Sequence, residues 1–301
     1  MGISLITKLK GSTNNNLLPK IGEMKVELPS VDSPSVQNRG FTVDIATAET
    51  IRLVNANFTS SSLGDNLGTS LPLDSTKTNS AYISNADATF FIPNKYNITS
   101  FSAGNKNKTS VHSPISFDLS ELAYSKALNI VNLSNTDVYG DIAAFDGKAN
   151  LVYLSLDNCP SVSGDLKNVK GLSSFKGIYL LNDDNVVCNM SDVASYTALE
   201  EISLSNKVYG DLSLLPANVV DVKCNVAVSW KGTRSSSSKI FTCENLILGS
   251  DIDNFLINMA NCQKGKTGNI GLTGTRTSAS DEAISTIKNY GYIIWVNGVK
   301  Q

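Results

Sequence analysis

Leu151-Val152-Tyr153-Leu154-Ser155-Leu156-Asp157-Asn158, followed by Val162-Ser163-Gly164-Asp165-Leu166, is a phrase that this chain repeats. Leu128–Val131–Leu133–Asn135 precedes Val138–Tyr139–Gly140–Asp141–Ile142 in the same order. Leu199–Ile202–Leu204–Asn206 likewise precedes Val208–Tyr209–Gly210–Asp211–Leu212. On the second apolar position, Val131 to Leu154 is 23 residues, and the steps to Ile178 and Ile202 are 24 each. The step to Val222 is 20; Leu246, Ile270 and Ile294 then follow at 24. Phe101 with Ala103 reads as an earlier, degenerate copy, with Phe117–Asp118–Leu119 in the place of Gly-Asp-Ile and an insertion around Asn105–Pro114.

Alternate residues of an extended strand share a face, so Val131 and Leu133 point into one interior. A chain with such a period is built by stacking, each coil burying its apolar row against the next. L-x-x-L-x-L-x-x-N at this interval is the leucine-rich-repeat signature. The expected fold is a β-rich solenoid: a leucine-rich-repeat-like parallel sheet with an N-terminal β cap region and a C-terminal helix–strand cap. Asn135, Asn158, Asn182 and Asn206 share one offset, and each is expected to bond backbone groups of the turn after its strand. Val226, Ser250 and Gly274 hold that offset later, so the C-terminal half should be less regular. Gly140, Gly164 and Gly210 mark bends that need positive φ. Asp141, Asp165 and Asp211 read as turn caps rather than calcium ligands, because Ca²⁺ wants about six to eight oxygens around one point.

Four segments follow. Residues 278–301 form the closing cap: Ser278 or Ser280 as N-cap, Asp281 and Glu282 in the first turn, Ala283, Ile284 and Ile287 as an apolar stripe, Gly291 as the stop, and a last strand near Ile294. Residues 95–277 form the repeat. Residues 41–94 read as a β cap or small β domain, with strands in 41–60 and 81–92 and a Ser/Thr/Asn/Gly-rich loop over 59–80. Residues 1–40 read as an anchor or linker. Met1–Lys10 is too short and too interrupted by lysine to be a secretory signal, and Ile6 stands where N-myristoylation requires Ser or Thr. A solvated tail and a docking segment both fit residues 1–40. The density of Ile3, Leu5, Ile6, Leu9, Leu17, Leu18 and Ile21 favours docking.

Composition excludes several classes. Net charge is −2 with 17% charged residues, so nucleic acid is not an expected partner, since phosphate contacts need clustered Lys and Arg. No apolar run approaches the length of a membrane span. The five cysteines have no metal-type spacing, and Cys224 and Cys243 fall on core positions, which suits a chain kept reduced. No metal or cofactor is expected. The lone His112 lies in the inserted loop with nothing near it in sequence to orient it, so it reads as a solvated histidine. Gly265–Lys266–Thr267 resembles the end of a P-loop but precedes a strand instead of following one, and is rejected. Asp183–Asp184–Asn185 reads as a solvated acidic turn. With no paired carboxylates to place, the expectation is a protein that is not an enzyme.

What remains is a contact surface. The outward residues of the repeat strands include Tyr153, Ser155, Asp157, Tyr179, Leu181, Glu201, Ser203, Ser205, Lys223 and Asn225. Tyrosine adds contact area at low entropy cost, which makes this face the candidate binding site. Tyr139 and Tyr209, beside the Gly-Asp bends, are equal candidates.

The repeat, with Gly274–Thr275–Arg276–Thr277–Ser278 leading into the closing helix, resembles leucine-rich-repeat proteins of Bacteroidota and their phages. Leu9–Lys10–Gly11–Ser12–Thr13–Asn14–Asn15–Asn16 and Leu18–Pro19–Lys20–Ile21–Gly22–Glu23 resemble the N-termini of fibre-type virion proteins from crAss-like phages. The resemblance implies a structural virion protein, a head or tail fibre or decoration. Residues 1–40 would attach it to other virion proteins, and the repeat would be displayed for adhesion to a host-surface glycan or protein. A homo-oligomer is compatible with this, though no heptad pattern demands one. The alternative is a soluble or cell-surface interaction module that belongs to no virion.

Overall fold

In a computed structural model, the described residues are 18–29, 40–54, 58–59, 66–68, 70–76, 78–83, 88–103 and 112–301. Eight strands come first: β1 (Met24–Leu28), β2 (Gly40–Ile45), β3 (Glu49–Val54), β4 (Phe58–Thr59), β5 (Asn66–Gly68), β6 (Ser70–Leu73), β7 (Asn79–Ile83) and β8 (Ala88–Ile92). The repeat supplies β9 (Ile98–Ser102), β10 (Ile130–Asn132), β11 (Gly140–Asp141), β12 (Tyr153–Ser155), β13 (Val162–Asp165), β14 (Gly177–Tyr179) and β15 (Val186–Asn189). A single-turn helix, α1 (Met190–Val193), precedes β16 (Glu201–Ser203), β17 (Lys207–Tyr209), β18 (Asp221–Lys223) and β19 (Thr242–Gly249). Helix α2 (Ile252–Ala260), β20 (Asn269–Gly274), helix α3 (Asp281–Asn289), β21 (Ile293–Val296) and β22 (Val299–Lys300) close the chain.

These elements correct the expected fold class. The chain is a mixed α/β fold with several sheets, not a β-rich solenoid with a wholly parallel, leucine-rich-repeat-like sheet. Its largest sheet has 14 strands in the order β22-β21-β20-β19-β18-β16-β14-β12-β10-β9-β2-β7-β4-β5. Pairs from β9 to β21 are parallel, but β2 joins β9, and β22 joins β21, antiparallel. The reason is physical. A period fixes only strands related by that period, whereas hairpins add reversed strands to the same sheet. At the C-terminal end, Asn297 and Gly298 have φ of 50° and 75°, the pair of left-handed residues that a two-residue hairpin turn needs. The other two sheets have four strands each, β1-β8-β3-β6 and β11-β13-β15-β17.

The N-terminal region also differs from expectation. Met24–Leu28, inside the segment read as anchor or linker, pairs antiparallel with β8 and buries Met24, Val26 and Leu28. The stretch 59–80, read as loop, contains β5 and β6. Pro72 hides the Leu71/Leu73 alternation, but β6 is the outer strand of its sheet, where a missing N–H costs no ladder bond. Stacked rings join this region to the repeat: Phe41 lies 4.5 Å from Phe90 and 6.4 Å from Phe101.

Along the parallel strands, Phe101, Val131, Leu154, Ile178, Ile202 and Val222 stand opposite one another in unbroken register, and all are buried. The row then changes occupant. Cys243, not Leu246, faces Val222 and Ile270, because an irregularity between Cys243 and Leu246 shifts the register; Leu246 pairs with Leu272. All these side chains belong to one apolar core, which runs from Met24 to Val296.

The turns repeat as strictly as the strands. Gly140, Gly164 and Gly210 have φ of 111°, 130° and 91°. Asp141, Asp165 and Asp211 each accept a hydrogen bond from the backbone N–H two residues on, capping a short 3-10 turn. Gly164 needs its bareness for a second reason: a β-carbon there would lie 2.3 Å from Asp141 Oδ1 of the coil before. At α3, Ser280 holds the N-cap position, but its hydroxyl donates to Asp253 Oδ1 at 2.6 Å instead of capping. Thr277 caps the preceding 3-10 turn.

Candidate functional site

The outward face of the large sheet carries a connected set of polar and aromatic side chains. One outward column runs through positions immediately before the buried row: Ile130, Tyr153, Gly177, Glu201, Asp221 and Thr242 are successive register partners. The next outward column is Asn132, Ser155, Tyr179, Ser203 and Lys223. Bare Gly177 makes room between two rings. A β-carbon there would come within 2.7 Å of Tyr153 Cδ1 and 3.1 Å of Tyr179 Cε2, so both rings lie against the backbone of β14. The Tyr179 hydroxyl donates to Glu201 Oε2. Thr242 Oγ1 donates to Asp221 Oδ1 at 3.2 Å, and Glu201 and Asp221 face each other across β16 and β18.

Two groups in this patch have displaced titrations. Burial, and then the bond to Glu201, push the Tyr179 phenol far above its usual range. Burial raises the Asp221 carboxyl, opposed by the Thr242 hydroxyl and by Lys223 and Lys266, and reinforced by Glu201. The patch therefore combines aromatic surface, two neighbouring carboxylates and a lysine on a rigid backbone. Such a set can stack on an apolar face and accept hydrogen bonds from hydroxyl or ammonium groups.

The sequence candidates divide. Tyr153, Glu201 and Lys223 offer surface to the patch, whereas Tyr179 is only 7% exposed and lies beneath it, its hydroxyl holding Glu201. Ser155 and Ser203 lie in it but are each only 2% exposed, so they pack and do not contact a ligand. Asp157 Oδ1 accepts from the Leu181 N–H at 2.7 Å, which makes it a link between coils. Asn225 is exposed and donates to Asn182 Oδ1 at 3.2 Å, so it belongs to the turn beyond the strands. Gly177, Asp221 and Thr242 were missed. Reading the column before each apolar row residue (Tyr153, Gly177, Glu201, Asp221) would have found the first two.

That turn carries an amide ladder. Asn135, Asn158 and Asn182 have φ of 60°, 58° and 65°, a conformation asparagine tolerates better than most residues. Asn158 Nδ2 donates to Asn135 Oδ1 at 3.1 Å, and Asn182 Nδ2 to Asn158 Oδ1 at 2.8 Å. The side chains thus bond each other from coil to coil, not the local backbone as expected. Asn225 continues the ladder. Asn206, expected in it, turns instead to Asp184 Oδ1 at 2.6 Å.

Other expectations are corrected here. Asp183 is not solvated: it is fully buried, and its Oδ1 accepts from Cys159 N at 2.8 Å. Burial pushes its carboxyl up to about 8. His112 has an orienting partner after all, with Nε2 2.9 Å from Asp137 Oδ1 in an exposed pair. The five thiols are buried and unbridged, and burial drives those of Cys159 and Cys243 up to about 12. Of the apolar anchor residues, Leu18 and Ile21 are exposed, while Ile3, Leu5, Ile6, Leu9 and Leu17 lie outside the described residues. Among the described residues, no three His, Cys, Asp or Glu side chains gather to hold a metal ion, and no helix is long and apolar enough to cross a membrane. The chain matches no protein-family model and no curated protein.

Proposed function

We propose that this chain is a non-enzymatic structural protein of a phage particle. In this reading it is held by its N-terminal segment and presents the outward face of its large sheet to a saccharide or protein of the host envelope. The observation that carries the contact role is the Tyr153–Gly177–Tyr179–Glu201–Asp221 patch. The Tyr153 ring and the carboxylates are set by strand register, and the buried Tyr179 holds Glu201 from beneath, so a partner meets them already ordered and little freedom is lost on binding. The phenol of Tyr179 is committed to the Glu201 carboxylate and the hydroxyl of Thr242 is shared between Val220 O and Asp221, which suits recognition better than proton transfer. The particle role rests on the resemblance of Leu9–Asn16 and Leu18–Glu23 to fibre-type virion proteins.

The test is binding of the labelled full chain to envelope vesicles from Bacteroidota cells, with Tyr153→Ala combined with Glu201→Gln. Saturable binding should weaken at least about tenfold in the double variant, the scale of one lost anchor residue. The melting temperature should not fall in parallel. Equal binding by the two proteins would remove the patch from the account.

A further inference from the structure

Strand register sets a repeat across the outward face. Neighbouring strands lie about 4.8 Å apart, so Ile130, Tyr153, Gly177, Glu201 and Asp221 step across the sheet at that interval. The first half of this row is apolar. Ile130 is 39% exposed, and its register partner Tyr153 lays its ring over the buried Gly177. The second half is made of acceptors. Glu201 and Asp221 are half-buried and occupy consecutive steps. Tyr179 donates to Glu201 Oε2, and Thr242 shares its hydroxyl between Val220 O and Asp221 Oδ1. Each carboxylate thus spends one oxygen on the sheet and keeps the other, Glu201 Oε1 or Asp221 Oδ2, for a ligand.

The charges at the acidic end balance. Lys223 and Lys266 both act on Asp221, opposing the repulsion from Glu201. Glu200 is paired with Lys176 at 3.2 Å. The carboxylates repel an anionic ligand and the lysines a cationic one, so the row suits an uncharged one. That ligand must offer an apolar face at one end of the row and hydrogen-bond donors at the other. The interval separates two kinds of donor. An extended peptide presents same-side groups every second residue, about 6.7 Å apart, and drifts out of step with a row that repeats at about 4.8 Å. Linked pyranose rings repeat close to the strand interval, and each ring pairs a face of C–H groups with a rim of hydroxyls.

We infer that the patch takes an uncharged polysaccharide laid across the strands, with a ring stacked on Tyr153 and the rings beyond it donating hydroxyl hydrogen bonds to Glu201 Oε1 and Asp221 Oδ2. The inference rests on the contact role proposed for this face, and adds the class of partner and the direction in which it lies. An uncharged partner makes the contact insensitive to salt.

The experiment takes surface polysaccharide from Bacteroidota cells, freed of protein by protease and divided by anion exchange into neutral and acidic pools. Each pool is titrated into the full-length chain by calorimetry. The neutral pool should bind with an affinity that holds as salt is raised, and the acidic pool at least about tenfold more weakly. Tyr153→Ala and Asp221→Asn should each weaken neutral-pool binding about tenfold, the scale of a lost stacking ring or charge-assisted bond. Ile293→Ala, at a site 40% exposed on β21, should bind as wild type. Melting curves identify any variant that fails to fold, and Glu201→Gln then takes its place. Binding of the acidic pool alone, or of envelope vesicles only before protease treatment, overturns the inference. The contact role still stands in that case if Tyr153→Ala combined with Glu201→Gln weakens vesicle binding. Neutral-pool binding that neither variant weakens overturns the inference and the patch together, as does no binding to either pool or to vesicles.

Discussion

Thr136, Cys159 and Asp183 each follow a left-handed asparagine, and each is fully buried. The asparagine turns the chain so that the next side chain enters the core, which is how a carboxylic acid comes to lie there. Asp183 Oδ2 has no hydrogen-bond partner among the described residues, and burial lifts the group to about 8 from an unfolded value near 3.9. A raised carboxyl contributes stability that is complete below the unfolded pKa and drains away as pH rises through the folded one. Between about pH 4 and pH 8 the wild-type protein should therefore lose stability, by on the order of a few kcal/mol, relative to Asp183→Asn. Thermal melts of both proteins from pH 4 to 9 test this, and a difference that stays constant with pH would refute it. Single-chain reading placed Asp183 in a solvated turn because an Asp-Asp-Asn run looks polar. Its spacing, one residue after the repeat asparagine, is the same as that of Thr136 and Cys159. At the site, Tyr153, Tyr179 and Glu201 were legible as neighbours of apolar row residues. Gly177 was not, because its contribution is the side chain it lacks.

The coil is the next scale up. Coils are held together by backbone ladders and, at particular steps, by side chains: Gly140 and Gly164 rest on Asp118 and Asp141 of the coil before, and the asparagine ladder links Asn135, Asn158 and Asn182. Asp211 does most, accepting from Ser213, Lys231 and Gly232 N–H groups at 3.0, 3.0 and 2.7 Å. Burial resists its charge, but these donors outweigh that and keep its carboxyl below the usual range. Asn158 separates two effects. Asn158→Ala breaks both ladder bonds and loses asparagine's tolerance of the left-handed backbone at φ 58°, and should cost about 2 kcal/mol. Asn158→Gly breaks the same bonds without that strain, so chemical denaturation should find it the less destabilised of the two. The reverse order would mean that backbone conformation is not what the asparagine supplies. The aspartate caps and glycine bends were readable from residue type and spacing. The side-chain ladder was not, since which atoms bond across coils depends on their separation after folding.

At the scale of the whole molecule, one apolar interior runs beneath the large sheet and joins the N-terminal strands to the closing helix and strand. The period predicted the parallel centre. It was silent on the antiparallel strands at both ends, because their partners are set by hairpins and by non-local packing such as Phe41 against Phe101. The 24-residue step also predicted Leu246 in the row, where the extra residues of β19 put Cys243. The sheet gives the molecule two aromatic surfaces that compete for the contact role. Tyr153 lies on the outward face of the large sheet, while Tyr139 and Tyr209, 45% and 58% exposed, stand beside the Gly-Asp bends. Hydroxyl-radical footprinting of the full chain, free and bound to host envelope vesicles, separates them in one experiment. Oxidation of Tyr153 should fall on binding while that of Tyr139 and Tyr209 is unchanged. Protection of Tyr139 or Tyr209 with Tyr153 still oxidised as in the free protein would place the contact elsewhere and contradict the account.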